Sequence, residues 1–177
     1  MIHLIRHAPK AWDNGRGPPR HWNAEGASHD PPINWSQQAD QKALQLADQL
    51  LAQEDEPWLI LTSPFLRCRQ TAALMSSRWP QIEPITCPIL REYLGNWRPS
   101  QVVLTLRTQR EMNITEPPIE SLDEFHNRIE NIVQWLIFTF ESAGHHSIWV
   151  ITHGTVMRRV FRKLEKLGYP VACHFQD

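Results

Sequence analysis

The sequence predicts an α/β protein, a three-layer α/β/α sandwich built on a mostly parallel sheet. Short apolar runs alternate with longer amphipathic stretches of helical period; the runs lie at 2–5, 58–61 and 148–151. Arg6-His7 follows the first run, and His153-Gly154 follows the last. In open parallel sheets the ligand crevice lies at the carboxyl ends of the strands, so both pairs are expected at one site.

Four helices with clear start or stop signals are expected between and after these strands. The first is predicted from Ser36 to about Gln53, with an apolar face of Ala39, Ala43, Leu46, Ala47 and Leu50. Ser63 and Pro64 follow the second strand, and we expect them as the N-cap and the first residue of the second helix.

The other two helices have defined start and stop signals. Ser121-Leu122-Asp123-Glu124 is a capping box for a helix that runs to about Glu141 and that Gly144 ends. Its expected apolar face comprises Leu122, Phe125, Ile129, Ile132, Val133, Leu136 and Phe140. The last helix is predicted from Thr155 to Leu167, with Gly168 as its C-terminal stop. No strand is predicted after it.

The length of 177 residues fits a single domain that spans 1–177. Two long segments, 8–35 and 91–120, are expected to face the substrate, because long loops inside compact domains are usually functional. A short strand is predicted among prolines at 82–86, and a helix at 100–110 within the second segment.

Composition limits the classes of partner and compartment. A net charge of −1 and a pI near 6.8 argue against nucleic acid or an anionic membrane as the main partner. Cys68, Cys87 and Cys173 fit neither a disulfide framework nor a zinc site, which favours a reducing compartment. We expect no signal peptide, and the apolar stretch 132–140 is too short to span a bilayer. These observations together predict a cytoplasmic protein.

Arg67 fits its predicted surroundings least well. It falls in the first turn of a helix, where the macrodipole disfavours a cation by up to about 1 kcal/mol. A residue that breaks a local preference marks a candidate site. Gly154 lies at the start of the last predicted helix, whose first N–H groups would face an anion. Together with Arg6, His7 and His153, these groups predict a pocket for a tetrahedral anion.

Five motifs then occur in an order that is typical of one family. They are Leu4-Ile5-Arg6-His7, Thr62-Ser63-Pro64-x-x-Arg67-x-x-Gln70-Thr71-Ala72, Leu90-x-Glu92-x-x-Gly95-x-Trp97, Glu120-Ser121 and Ile151-Thr152-His153-Gly154. In these motifs, from residue 2 to about 167, the sequence resembles the histidine phosphatase (phosphoglycerate mutase-like) superfamily. The block from Ser63 to Ala72 is the most specific of the five.

The resemblance implies a role for each of these residues. His7 would attack the phosphoryl group as a neutral imidazole and carry it as phosphohistidine. Glu92 matches the general acid for the leaving group and the general base for water. The groups expected to bind the phosphoryl oxygens and stabilise the transition state are Arg6, Arg67, His153 and Gly154. The resemblance implies no metal and no cofactor, because arginines supply the positive charge.

Some positions depart from the family pattern. Ala8 and Ile119 stand where the family usually has glycine. Asp13 falls where the family commonly has asparagine, so either Asp13 or the following Asn14 is expected to contact the substrate. These departures affect the expected substrate more than the expected chemistry.

We therefore predict a metal-independent phosphatase that acts on a small phosphorylated metabolite. A mutase is disfavoured because the mutases of this family are longer chains with larger insertions over the site. Two alternatives stay open: a phosphohistidine-protein phosphatase, whose branch typically lacks the Glu92 motif, and a non-catalytic protein of the same fold that binds a phospholigand.

Overall fold

The computed structural model describes residues 1–8, 37–53, 56–93 and 120–174. Five strands run through these parts of the chain, β1 to β5: Ile2–Arg6, Pro57–Thr62, Ile85–Thr86, Ser147–Thr152 and Val171–His174. Four α-helices accompany them, α1 to α4: Gln37–Ala52, Leu66–Ser76, Leu122–Ser142 and Gly154–Lys166. A single 3-10 turn, Pro88–Leu90, follows β3.

The strands form one sheet in the order β3-β2-β4-β1-β5, with all neighbours parallel. β4 lies in the middle and is buried along its whole length. Ile151 of β4 is in register with Ile5 of β1 on one side and with Thr62 of β2 on the other. The three strands therefore end at the same level, and the residues that follow them lie next to one another.

Two helices cover each face of the sheet. Leu4 and Val150 pack with α3 and α4 in one apolar cluster, whereas Ile5 and Trp149 pack with α1 and α2 in the other. The alternation of side chains along each strand separates the two clusters, as expected of a sheet that is buried on both faces. The predicted three-layer α/β/α architecture is confirmed.

The predicted helix ends agree with the observed ones for α1, α3 and α4 to within one or two residues. Ser121 and Glu124 form both hydrogen bonds of the capping box at the start of α3. Gly168 follows α4 with a φ of +79°, the left-handed conformation typical of a helix stop. One member of the predicted apolar face of α3 is wrong: Leu122 is 51% exposed, because it is the first residue of the helix and extends past the core.

The start of α2 also differs from the prediction. α2 begins at Leu66 with Phe65 as its N-cap, so Ser63 and Pro64 are not the cap and the first helical residue. The physical reason is that Ser63 still belongs to the sheet edge. Its N–H donates to the carbonyl oxygen of Ile151, and its hydroxyl contacts a histidine instead of capping the helix.

β5 was not predicted from the sequence. Its four side chains are all half-buried, so no alternation of apolar and polar residues marks it as a strand. It exists through its pairing with β1 at the edge of the sheet. The strand predicted at 82–86 is observed only as Ile85–Thr86. The helix predicted at 100–110 lies outside the described residues. None of the helices described is long and apolar enough to cross a membrane.

Candidate active site

The carboxyl ends of β1, β2 and β4 bring three buried polar side chains together. The N–H of His7 donates to the carbonyl oxygen of Thr152 at 3.1 Å, and the N–H of Ser63 donates to that of Ile151 at 2.9 Å. These two bonds extend the strand pairing one residue beyond β1 and β2. His7 and Ser63 therefore flank the end of β4, where His153 begins the turn into α4. All three are at most 3% exposed.

His7 has a defined tautomer. Its Nδ1 lies 2.8 Å from the carbonyl oxygen of Ala8. A carbonyl oxygen only accepts hydrogen bonds, so Nδ1 carries the proton and Nε2 keeps its lone pair. Burial lowers the pKa of His7 well below its usual value of 6.5, and the positive charge of Arg67 lowers it further. The side chain is therefore a neutral imidazole with Nε2 unprotonated.

Ala8, whose carbonyl oxygen accepts this hydrogen bond, is itself held in place through its N–H. The N–H of Ala8 donates to Oγ1 of Thr71 at 3.0 Å, and that hydroxyl donates to the carbonyl oxygen of Arg67 at 2.7 Å. Ala8 is fully buried. A continuous chain of hydrogen bonds thus joins the peptide after His7 to the first turn of α2.

His153 is completely buried and contacts three other site residues, Ser63, Arg67 and Glu92. Its Nε2 lies 2.8 Å from Oγ of Ser63, and its Nδ1 lies 3.0 Å from Nη2 of Arg67. Both ring nitrogens therefore have polar partners, which hold the imidazole in one orientation. The ring centroids of His7 and His153 are 5.5 Å apart, which leaves the two imidazoles at a single site.

Arg67 and Glu92 form an ion pair at the same place. Nη2 of Arg67 lies 2.5 Å from Oε2 of Glu92, and that oxygen lies 3.2 Å from Nδ1 of His153. The guanidinium carbon also lies 4.7 Å from the centre of the Phe65 ring. The carboxylate and the aromatic face offset the cost of placing a buried cation at a helix N-terminus.

Arg6 lies beside the first residue of α4. A Cβ atom added to Gly154 would lie 3.7 Å from Nε of Arg6. The N-cap of α4 is His153, whose side chain does not cap the helix, and the first turn contains no acidic residue. The positive end of the helix dipole and a guanidinium therefore lie together, an arrangement that favours an anion.

The structure thus brings together the side chains of four predicted site residues, His7, Arg67, Glu92 and His153, and places Arg6 beside Gly154 at the same sheet edge. Asp13 and Asn14 lie outside the described residues. Sequence reasoning missed Ser63 as a site residue, since a serine before a helix looks like an N-cap. Its position directly after a buried strand was the available signal.

Comparison with known proteins identifies the family. The family model of the histidine phosphatase superfamily (branch 1) matches residues 2–175. The chain belongs to this superfamily. The resemblance drawn from the five motifs is thereby confirmed. No curated protein matches the chain at a significant level.

Three solved structures have a similar fold. The ecdysone phosphate phosphatase EPPase from Bombix mori, in complex with tungstate, is 16% identical with a TM-score of 0.69, covering 94% of this chain and 77% of that chain. Phosphoglycerate mutase from Bacillus anthracis str. Sterne is 15% identical with a TM-score of 0.65, covering 97% and 82%. The protein histidine phosphatase SixA, complexed with tungstate, is 17% identical with a TM-score of 0.57, covering 92% and 75%. At these identities the likeness shows the fold alone.

Proposed function

We propose that this member of the histidine phosphatase superfamily hydrolyses a small-molecule phosphomonoester through a phosphohistidine on His7. The observation that carries the proposal is the hydrogen bond of 2.8 Å from His7 Nδ1 to the carbonyl oxygen of Ala8, which leaves the lone pair on Nε2. Because burial lowers the pKa of His7, the imidazole is neutral near pH 7. A neutral imidazole with a lone pair on Nε2 can attack phosphorus as a nucleophile, and the neighbouring guanidinium attracts the phosphoryl group.

In the first step Nε2 of His7 attacks phosphorus. The N–P bond forms as the bond between phosphorus and the leaving oxygen breaks, and negative charge remains on the three other oxygens. Arg6, Arg67, His153 and the N-terminus of α4 stabilise that charge. Such fixed positive charges and hydrogen-bond donors account for most of the catalysis in phosphoryl transfer.

Glu92 supplies the proton that the leaving oxygen needs. In the free site its carboxylate pairs with Arg67 at 2.5 Å. A bound phosphoryl group competes for the same guanidinium, and its negative charge favours the protonated form of the carboxyl. Substrate binding thereby converts Glu92 from an ion-pair partner into a general acid.

In the second step water attacks the phosphohistidine. Glu92, deprotonated by the first step, takes a proton from the water as the new P–O bond forms. The N–P bond breaks, its electron pair returns to Nε2 of His7, and inorganic phosphate leaves. Each cycle consumes one water and releases one alcohol and one phosphate.

Two arginines and a helix N-terminus suit a terminal phosphoryl group with three free oxygens. We propose that these groups replace a metal ion. The fold neighbour EPPase is an ecdysone phosphate phosphatase, which supports a small phosphorylated metabolite as the substrate class. We also propose a cytoplasmic location, on the basis of the composition.

The test is turnover of an aryl phosphate and of a panel of phosphorylated metabolites. We expect release of inorganic phosphate that survives a chelator and is lost in His7→Ala. His146→Ala is the matched control, because His146 is exposed in the turn before β4, at the opposite edge of the sheet.

Rapid quench with labelled substrate should trap an acid-labile, base-stable adduct on His7. Activity in His7→Ala, or an acid-stable phosphoester, would contradict the mechanism. Loss of activity to the chelator would contradict metal independence, and transfer to a second alcohol would indicate a mutase.

A further inference from the structure

Glu92 lies just after the 3-10 turn Pro88–Leu90. Side chains from two other elements hold the backbone of residues 88–93. Three successive carbonyl oxygens of this segment each accept a side-chain hydrogen bond. Nη1 of Arg128 donates to the carbonyls of Ile89 at 2.8 Å and of Arg91 at 2.9 Å. Oγ1 of Thr152 donates to the carbonyl between them, that of Leu90, at 2.8 Å. The carbonyl carbon of Arg91 is bonded to the nitrogen of Glu92, so these contacts fix where the Glu92 side chain begins.

Arg128 is in turn fixed by a buried ion pair. Its Nε donates to Oε2 of Glu120 at 2.8 Å, and its Nη2 donates to Oε1 of the same carboxylate. Nη2 of Arg91 lies 3.5 Å from Oε2 of Glu120. Arg91, Glu120 and Arg128 are each at most 6% exposed. With Glu120 occupying two of its nitrogens, the guanidinium is held in one orientation and directs Nη1 at the two carbonyls.

The residue after Glu92 is attached to the same helix. The ring of Tyr93 stacks on that of Phe125, with centroids 4.4 Å apart and an interplanar angle of 27°. Phe125 also lies 5.2 Å below the guanidinium carbon of Arg128. Both backbone neighbours of Glu92 are therefore held by one face of α3, although no side chain of α3 is part of the phosphate pocket proposed above.

We propose that Arg128, supported by Glu120, is a positioning residue for Glu92. By holding the carbonyls of Ile89 and Arg91, it keeps the Glu92 carboxyl beside Arg67 and His153, where the leaving oxygen must be protonated. This inference rests on the general acid–base role proposed for Glu92. Its specific content is that disturbing Arg128 impairs proton transfer and leaves the attack by His7 nearly intact.

Arg128→Lys tests the proposal, because lysine keeps the charge paired with Glu120 but cannot reach two carbonyls and the carboxylate in one geometry. On an alkyl phosphate, kcat should fall about 10- to 100-fold, the cost of misplacing a catalytic group by about 1 Å. On an activated aryl phosphate, formation of phosphohistidine should change less than about threefold, because that leaving group needs little protonation. Thr152→Val, which frees only the Leu90 carbonyl, should give a smaller loss of the same pattern.

Leu136→Ala is the matched control. Leu136 is a fully buried residue two turns further along α3, about 12 Å from Arg128 by helical rise. It should destabilise the fold and affect both substrates equally. In Glu92→Gln, Arg128→Lys should have little further effect on the alkyl phosphate, because the group it positions is already lost.

Hydrogen exchange of the amides of residues 89–93 is a readout that does not depend on turnover. Measured relative to the amides of β1, which report global unfolding, it should be about tenfold faster in Arg128→Lys than in wild type and unchanged in Leu136→Ala. Equal losses on both substrates, additivity with Glu92→Gln, or unchanged exchange would overturn the positioning role. If exchange rises as expected but the wild type has no turnover, or Glu92→Gln has no effect, the segment is held as described and the proposed function fails instead.

Discussion

The hydroxyl of Ser63, at the end of β2, lies 2.8 Å from Nε2 of His153, at the end of β4. Both residues are completely buried. This hydrogen bond and the contact of 3.0 Å between Nδ1 and Nη2 of Arg67 hold the imidazole of His153 from both of its nitrogens. Ser63 therefore sets the orientation of a ring in the proposed phosphate pocket.

Ser63→Ala should weaken both the fold and the site. Removing the hydroxyl leaves a buried imidazole nitrogen without this partner, and such losses cost about 1–3 kcal/mol of unfolding free energy. We expect vanadate affinity to fall roughly tenfold, in line with the loss of one hydrogen bond of about 1.4 kcal/mol. Urea unfolding and vanadate inhibition measure the two effects. Ser77→Ala removes an exposed hydroxyl at the far end of α2 and should leave vanadate affinity unchanged. A wild-type affinity in Ser63→Ala would contradict the role given to Ser63.

The lowered pKa of His7 has two consequences for pH dependence. His7 should remain neutral as the pH falls through 6.5, so phosphohistidine formation should decline only at a clearly lower pH. The unfolded chain, however, binds a proton to this histidine near pH 6.5, whereas the folded chain does not. The free energy of unfolding should therefore fall as the pH drops from about 6.5 towards the lower pKa of the folded state. NMR titration against His7→Gln, and unfolding free energies across that range, measure both. A His7 midpoint at or above 6.5 would contradict the lowered pKa and both consequences.

Glu92→Gln should slow hydrolysis of an alkyl phosphate by about 10²–10⁴-fold, because an alkoxide leaves poorly without a proton. Phosphorylation by an activated aryl phosphate should fall far less. Dephosphorylation then becomes limiting, and a pre-steady-state burst of the aryl alcohol should appear. A phosphohistidine-protein phosphatase would be indifferent to this change, since a phosphoramidate nitrogen can be protonated without Glu92. Equal alkyl phosphate rates in wild type and Glu92→Gln would favour that alternative.

Gly154→Ala and Gly168→Ala should have different effects on the free energy of unfolding. At Gly154 the added Cβ would make an ordinary van der Waals contact 3.7 Å from Nε of Arg6. The free energy of unfolding should therefore stay level or rise by up to about 1 kcal/mol, and vanadate affinity should change little because Arg6 need not move. At Gly168 the φ of +79° strains any side chain, so stability should fall by about 1 kcal/mol or more with vanadate affinity unchanged. Loss of folding in Gly154→Ala would mean that this helix start tolerates no side chain.

The sequence alone determined the features that depend on neighbours close in the chain. The capping box at Ser121 and Glu124 and the helix stop at Gly168 are local hydrogen-bond and backbone requirements, and both are observed as predicted. The strands that end at Arg6 and Thr152 were predicted for the same reason, because a buried strand is a short apolar run. Since parallel strands share one carboxyl edge, the meeting of His7 and His153 also followed from sequence order.

Only the tertiary structure decided the contacts between residues that are distant in the chain. The local sequence predicts Ser63 as an N-cap, but its hydroxyl contacts His153, ninety residues away in the chain. β5 is a strand because β1 offers it an edge, and the carbonyls around Glu92 are held by Arg128 of α3. Side-chain hydrogen bonds have no sequence period, so their partners become evident only once the layers are packed.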